Sequence, residues 1–308
     1  MEFLLILALA IVIELIFGDP PNAYHPVAWI GRVIAFFEPF GLKGRRRYQL
    51  LYGLVMTLVI TAFFTAAVFF LLFWLEGVNT VLYVVVAALL LKSTFSFRGL
   101  TRTALKIGRL IENNKLADAR FELRALVSRD TTNLPPPRLA SAIIESVAES
   151  TGDSFVSPLF FFLIFGVPGA FAFRIVSSFD SMIGYHGKYE YLGKFASRLD
   201  DVLNFIPARL AGLFIVLGAF LTGVKGREAF KTMRRDASKT ESPNAGWPMA
   251  AMAGALDVQL EKLGQYRLGQ GDAPLDLLTI KSSIKVWQAA AISWLIICFA
   301  VGGIYLAA

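Results

Sequence analysis

Apolar residues along the chain fall into long runs that polar segments separate. A helix needs about 20 apolar residues to cross a bilayer, so each long run is a candidate membrane span. The candidates are residues 3–17, 50–75, 79–91, 155–176, 206–224 and 287–307. The run 50–75 contains no charged residue and is the clearest of them. The pattern predicts an all-α, polytopic integral membrane protein.

The polar segments between these runs predict helices and loops outside the membrane. In residues 92–154, apolar positions recur at helical spacing on both sides of a turn at Asn113-Asn114. Residues 225–286 begin as a basic helix and continue as loops with one short helix of small residues. The chain contains no internal repeat and no β-rich region, so we expect a single membrane-embedded domain over residues 1–308.

Positive charge sets the expected orientation. Residues 92–154 and 225–286 each contain ten Lys and Arg residues, and residues 43–47 contain four. Six crossings with the N terminus outside would put all three basic segments in the cytoplasm and residues 177–205 outside. The fourth run, however, contains Pro158, Gly166, Pro168 and Gly169. These residues predict a kink or a re-entrant hairpin, which would change the assignment for residues 177–205.

Composition agrees with a membrane protein and excludes several kinds of site. The 308 residues are 56% hydrophobic and 17% charged, whereas a soluble domain is nearer one quarter charged. The single cysteine excludes an intrachain disulfide and a cysteine-based metal site. The sequence has two histidines, no P-loop and no dinucleotide-binding fingerprint. Basic residues are not interleaved with aromatic residues, so no nucleic-acid partner is expected.

Three acidic residues precede the fourth apolar run at four-residue intervals. Glu145, Glu149 and Asp153 would share one face of a helix, where their charges repel one another unless a cation or a basic partner is present. Mg²⁺ binds few carboxylates together with substrate phosphates, which fits such a cluster. The plainer interpretation is a solvated charged face.

A second acidic group precedes the fifth run. Asp200 and Asp201 are adjacent, Asn204 follows one helical turn later, and Asp180 lies just beyond the end of the fourth run. Asp201 can share a helical face with Asn204 or pair with Arg198. Either a Mg²⁺–phosphate site or a structural set of salt bridges explains this group.

Other polar motifs offer groups that bind phosphate or a polar substrate. The candidates are Asp19 and His25 after the first run, Arg129 and Asp130 before three prolines, Arg198 and Arg209 on either side of the adjacent aspartates, and Ser242, Asn244 and Trp247 in a loop. An arginine can grip phosphate through two parallel hydrogen bonds. Each motif also has a plainer interpretation as a rigid turn, a helix cap, a salt bridge or a loop.

Taken together, these motifs resemble one family, the adenosylcobinamide-phosphate synthases of cobalamin biosynthesis (the CobD/CbiB family). The resemblance rests on six pieces in the family's order: Gly18-Asp19-Pro20-Pro21 with His25-Pro26 and Ile30-Gly31-Arg32; Arg129-Asp130-Thr131; Glu145-Ser146 with Glu149; Asp180-Ser181-Met182 with Gly184-Tyr185; Arg198-Leu199-Asp200-Asp201 with Asn204, Pro207, Ala208 and Arg209; and Ser242 to Pro248 with Ala251 to Leu256. They cover nearly the whole chain.

The resemblance implies an ATP-dependent ligase that joins a propionate of adenosylcobyric acid to the amine of aminopropanol phosphate or ethanolamine phosphate. It also implies Mg²⁺, a multi-pass protein of the cytoplasmic membrane and an active site on the cytoplasmic side; a homo-oligomer is left open. We assign Glu145, Glu149 and Asp201 as candidate catalytic residues. Asp153, Asp180, Asp200 and Asn204 are candidate metal ligands, and the phosphate-binding candidates contact the substrates. No ATP motif is recognisable.

Two alternatives follow from the residues alone. Asp200-Asp201 with Asn204 loosely resembles the acidic diphosphate motif of a Mg²⁺-dependent intramembrane prenyltransferase, although a second such motif is missing. The chain could instead be a non-enzymatic corrinoid transporter or scaffold.

Overall fold

The apolar runs form the longest helices of the computed structural model, which describes the backbone of residues 1–307 and the side chains of residues 1–304. Helices account for nearly all of its regular structure, so the predicted all-α class is confirmed. The helices are α1 Glu2–Ile16, α2 Pro26–Leu42, α3 Arg46–Val78, α4 Thr80–Lys92, α5 Arg98–Glu112, α6 Leu116–Leu123, α7 Pro136–Thr151, α8 Ser157–Ile183, α9 Lys194–Leu203, α10 Phe205–Leu221, α11 Gly226–Asp236, α12 Gly246–Leu256 and α13 Leu277–Ala307.

Four shorter elements complete the regular structure of the described backbone. A π-helical turn, Gly152–Val156, joins α7 to α8, and a 3₁₀ turn, Ala237–Lys239, follows α11. Strands β1 Leu260–Lys262 and β2 Tyr266–Leu268 form an antiparallel hairpin.

Three helical stretches are long and apolar enough to cross a membrane, namely Arg46–Val78, Pro136–Ile183 and Leu277–Ile304. Helices α9 and α10 together are also long and apolar enough, with a bend of 52° between them. They give a fourth candidate span if the two helices count as one. Helices α1 and α4, on the predicted runs 3–17 and 79–91, have 15 and 13 residues and are too short to cross alone. The chain is a helical membrane protein, and its number of crossings stays a prediction.

The fourth apolar run folds back on itself at Gly166. This residue has φ 67° and ψ −162°, a conformation that is open essentially to glycine only. The rings of Phe161 and Phe173 stack with centroids 5.2 Å apart, whereas twelve residues of straight helix would separate them by about 18 Å along the axis. The predicted break in this run is therefore confirmed, and α8 is a hairpin of two helical arms.

The chain divides into two compact units. Unit 1 comprises residues 1–97, 157–204 and 298–308, and unit 2 comprises residues 98–156 and 205–297. In unit 1, α1 packs on α4, and α8 packs on α2, α3 and α9. In unit 2, α12 lies at the centre against α7, α10 and α11, and every residue from Gly246 to Leu256 except Trp247 is buried. The prediction of a single domain stays a prediction.

Contacts within unit 1 correct the orientation that six crossings would give. Lys188 Nζ lies 2.9 Å from Glu38 Oε1, and the Arg46 guanidinium lies over the Tyr191 ring at 5.1 Å. The segment 184–193 therefore lies beside the basic segment 43–47, not on the opposite side of a membrane. The physical reason is the hairpin of α8, whose second arm reverses the direction of the first.

Candidate functional site

The acidic cluster of unit 1 comprises Asp180, Asp200, Asp201 and Asn204, with Ser157 and Ser197 as hydroxyl partners. Helix α9 supplies Asp200 and Asp201, and Asn204 follows it directly. Asn204 Nδ2 donates to Asp200 Oδ2 at 2.9 Å, and Ser157 Oγ donates to Asn204 Oδ1 at 2.6 Å. This bond joins the start of α8 to the end of α9, so two segments 47 residues apart in sequence meet at the site.

Negative charge is in excess in this cluster. Asp180 and Asp201 both lie within electrostatic range of Asp200. Asp201 pairs with Arg198 at 3.3 Å, as its spacing predicted, but the Arg198 side chain is 71% exposed. Asp200 Oδ1 is buried and accepts no hydrogen bond from any described residue. The spacing predicted that Asn204 shares a face with Asp201, three residues earlier, but Asn204 binds Asp200, four residues earlier.

These carboxylates suit a Mg²⁺ ion whose remaining ligands would come from a substrate. Among residues 1–304, no three acidic, histidine or cysteine side chains form a complete metal site. Mg²⁺ commonly takes only one or two carboxylates together with substrate phosphates and water. Asp200 Oδ1, with Asp180 beside it, offers that donor set. The assignment of Asp153, Asp180, Asp200 and Asn204 as metal ligands stays a prediction, and Asp153 belongs to unit 2 whereas the other three belong to unit 1.

A second charged group in unit 1, the Lys92 cluster, comprises Glu14, Asp19, Lys92 and Ser96. Lys92 is buried and pairs with both acids, at 3.0 Å to Glu14 Oε2 and more closely to Asp19. Ser96 Oγ donates to Asp19 Oδ2 at 2.7 Å. Burial alone would raise the pKa of Asp19, but the hydrogen bonds from Lys92 and Ser96 outweigh burial and lower it. Burial lowers the pKa of His25, and the nearby charge of Asp19 opposes this shift only in part.

The Glu145 cluster in unit 2 comprises Arg129, Ser141, Glu145 and Tyr266. Glu145 lies in the buried middle of α7. Its Oε1 accepts from Ser141 Oγ at 2.6 Å, and its Oε2 accepts from Arg129 Nη2 at 2.9 Å and from Tyr266 Oη at 2.8 Å. Burial, followed by the charge of Glu145, raises the pKa of Tyr266 well above its ordinary value, so the phenol remains a donor.

The neighbouring predicted residues do not join Glu145 around one cation. Glu149 is exposed, and the π-helical turn at Gly152–Val156 interrupts the regular spacing that would bring Asp153 onto the same face. Asp130 is exposed and accepts hydrogen bonds from the backbone N–H and the hydroxyl of Thr132 within the loop before α7. The catalytic assignment of Glu145 and Glu149 stays a prediction.

A second group in unit 2, the Arg209 cluster, comprises Phe205, Arg209, Asn244 and Trp247. The Cζ atom of Arg209 lies 3.6 Å from the Phe205 ring centroid and 4.7 Å from that of Trp247. Arg209 Nη1 donates to Asn244 Oδ1 at 3.4 Å. Ser242 Oγ accepts from the backbone N–H of Asn244 and shapes the loop before α12. Four of the predicted substrate-binding residues therefore meet at this cluster or directly beside it, namely Arg209, Ser242, Asn244 and Trp247.

Sequence reasoning missed several polar residues of these clusters. Glu14 and Lys92 lie at the ends of apolar runs, and an ionisable residue in such a position is a functional signal by itself. Arg174 within the fourth run, which acts electrostatically on Asp200 and His25, gave the same signal. Nothing in the sequence marked Tyr266.

Comparison with known proteins identifies the family. The profile of the family described as CobD/Cbib protein matches residues 7–293. The chain belongs to this family. The cobalamin biosynthesis protein CobD of Dehalococcoides mccartyi is 56% identical over 307 residues, which cover 100% of this chain and 99% of that protein. The probable cobalamin biosynthesis protein CobD of Methanothermobacter thermautotrophicus is 37% identical, covering 98% and 97%. No solved structure matches the chain.

Proposed function

We propose that this CobD/Cbib protein is the cobalamin biosynthesis enzyme that joins adenosylcobyric acid to aminopropanol phosphate, giving adenosylcobinamide phosphate. The family gives the chain its role in cobalamin biosynthesis. The observation that carries an enzymatic role is the buried, unpaired Asp200 Oδ1 among like charges. A membrane scaffold has no need of such a costly group, whereas a site that handles cations and phosphates does.

The reaction needs chemical activation. A carboxylate and an amine do not condense unaided in water, because the oxygen that is lost is a poor leaving group. In the proposed reaction, the carboxylate oxygen leaves on a phosphoryl or adenylyl group taken from ATP, the new C–N bond forms, and the ammonium group of the amine loses two protons and keeps one as the amide N–H. Bound Mg²⁺ would supply positive charge that neutralises phosphate oxygens. Asp180 and Asp200 would hold it, with Asn204 orienting the Asp200 carboxylate through its amide N–H.

The residues of unit 2 would bind and orient substrate. Glu145 fixes the direction of Arg129, and the Arg129 Nε atom is buried without a hydrogen-bond acceptor among the described residues. A guanidinium held in this way suits an oxyanion, because it is already oriented when the substrate arrives. The Trp247 ring, which is half-buried in the Arg209 cluster, offers an apolar surface for a corrinoid.

The decisive experiment supplies purified protein in detergent with adenosylcobyric acid, ATP, MgCl₂ and either aminopropanol phosphate or ethanolamine phosphate. We expect adenosylcobinamide phosphate or its ethanolamine analogue, identified by mass, and ADP or AMP in equal amount. Omission of ATP or of Mg²⁺ should abolish the product. If folded protein yields no amide under these conditions, the enzymatic proposal fails, and a non-enzymatic corrinoid transporter or scaffold remains as the explanation.

The proposal places the site on the cytoplasmic side of the cell membrane. Lys194→Cys, on the exposed start of α9, tests this in a Cys298→Ala background. A membrane-impermeant maleimide should label it in inverted vesicles and not in intact cells, and Arg45→Cys should behave in the same way. Labelling of Lys194→Cys from outside the cell would contradict the placement.

A further inference from the structure

Arg209 is held by aromatic rings rather than by an acid. Phe205 lies one helical turn before Arg209 in α10, and its ring centroid is 3.6 Å from the guanidinium carbon. The Trp247 ring, from the first turn of α12, lies at 4.7 Å. Contacts of this kind stabilise a cation over a ring face and restrict the orientation of the guanidinium. Arg209 is therefore both half-buried and fixed.

Much of the donor capacity of Arg209 is unused. Nη1 donates to the Phe205 carbonyl oxygen and to Asn244 Oδ1. Within residues 1–304, Nε and Nη2 donate to no protein acceptor, and no carboxylate pairs with this side chain. Arg129 and Arg235 differ, because each pairs with a buried acid, Glu145 or Asp236. Arg209 is thus a fixed cation whose counter-ion is not part of unit 2.

The unused edge of Arg209 matches one kind of ligand. Nε–H and an Nη2–H of a guanidinium point in parallel and bind two oxygens of a phosphate or carboxylate at once. Lysine cannot reproduce this fork, and its ammonium is more strongly hydrated. An oxyanion would also supply the negative charge that the rings do not.

We propose that Arg209 binds the phosphate monoester of the amine substrate and selects it over the unphosphorylated amino alcohol. This inference rests on the proposed function. Apart from the phosphates of ATP, which the proposal assigns to Mg²⁺ and the acidic cluster, two acidic substrate groups compete for the assignment, the phosphate of the amine substrate and the corrinoid carboxylate. The carboxylate must react and change its charge, whereas the phosphate passes through the reaction unchanged. A guanidinium fixed by two rings suits the group that stays constant, and Asn244 adds an amide beside it.

Binding without turnover tests the site directly. Calorimetry would use aminopropanol phosphate and, separately, inorganic phosphate as probes. We expect Arg209→Gln to weaken binding of both by about tenfold to a hundredfold, the usual value of hydrogen bonds to a charged group. Arg209→Lys should recover only part of the loss. Arg234→Gln is the matched control, since its guanidinium also lies over a ring, Phe230 at 5.9 Å, and it should bind like the unmodified protein.

Kinetics separate the phosphate from the carboxylate. Arg209→Gln should raise KM for aminopropanol phosphate and leave KM for adenosylcobyric acid unchanged. A rise in KM for the corrinoid alone would overturn the assignment, as would unchanged phosphate binding in a variant that melts at the normal temperature. If Arg209→Gln loses phosphate binding while no variant forms an amide, the anion site stands and the proposed function fails.

Discussion

The acidic cluster of unit 1 and the Glu145 cluster of unit 2 treat a buried carboxylate in opposite ways. Glu145 accepts hydrogen bonds from a serine, a tyrosine and an arginine, and its charge is matched by Arg129. Asp200 accepts one hydrogen bond, from Asn204, on one oxygen, and leaves the other buried and unpaired beside two more aspartates. The charge and the hydrogen bonds of Glu145 are satisfied within the protein, and those of Asp200 are not.

This difference assigns different roles to the two clusters. A carboxylate whose charge and hydrogen bonds are satisfied stabilises the fold and orients its partners, and its loss leaves an uncompensated charge. A buried carboxylate that lacks such partners costs stability and is expected where function requires it. We therefore expect stability to depend on Glu145 and turnover to depend on Asp200, and each variant below tests one side of this comparison.

Removal of Glu145 should have the largest effect on stability. Glu145→Ala leaves Arg129 part-buried without its acid and Ser141 and Tyr266 without their acceptor. The expected loss is about 3–5 kcal/mol, as for one partner of a buried ion pair. Thermal unfolding in detergent measures it. Glu149→Ala, one turn later and exposed, should change the melting temperature little; equal losses in both variants would show that Glu145 has no special structural role.

Asp200→Asn should lower turnover by about a hundredfold or more, because the metal would lose a charged ligand. The same change removes like-charge repulsion and should not lower the melting temperature. Mg²⁺ should raise the melting temperature of the unmodified protein and not that of the variant. The companion Asp201→Asn keeps Asp200 and loses an exposed partner, Arg198. A variant with normal turnover and an intact Mg²⁺ response would exclude Asp200 from the site.

Hydrophobic patterning predicted the helices well and their ends less well. The turn at Asn113-Asn114 lies between α5 and α6, and Asn114 has φ 56°. Helix α7 starts within the three prolines at 135–137, since proline at the first helical position loses no hydrogen bond. Pro168 and the glycines of the fourth run predicted a break. Its size could not be predicted, because it depends on the φ of Gly166 and on packing between the two arms.

The candidate sites were predictable residue by residue but not as groupings. Arg209, Asn244 and Trp247 meet across 35 or more residues of chain, and spacing alone cannot show such a meeting. Regular spacing is also insufficient by itself: Glu145 and Glu149 lie in one α-helix, but the π-helical turn changes the register before Asp153. Tyr266 lies on a three-residue strand without any motif, so only the fold reveals its contact with Glu145.

Tyr266→Phe narrows the comparison to a single donor. The variant keeps the ring and removes one hydrogen bond to a buried carboxylate, so we expect a loss of about 1.5–3 kcal/mol. This is less than the loss for Glu145→Ala, because Arg129 and Ser141 remain bonded. Thermal unfolding again measures it, with the exposed Tyr24→Phe as the control. A loss as large as that of Glu145→Ala would mean that the ring, not the hydroxyl, carries the stability.

Asp236 extends the comparison to the pH dependence of stability. This buried carboxylate accepts from Arg235, Lys239 and the Gly269 backbone N–H. Burial alone would raise its pKa, but these partners outweigh burial and lower it far below the ordinary value. In the window below the unfolded value of about 4, the unfolded chain binds more protons, so stability falls as pH falls. The melting temperature of Asp236→Asn should therefore differ most from that of the unmodified protein above about pH 5, and the gap should narrow towards pH 3. The exposed Asp272→Asn should show no such trend, and a gap that stays constant with pH would mean that Asp236 contributes through shape rather than charge.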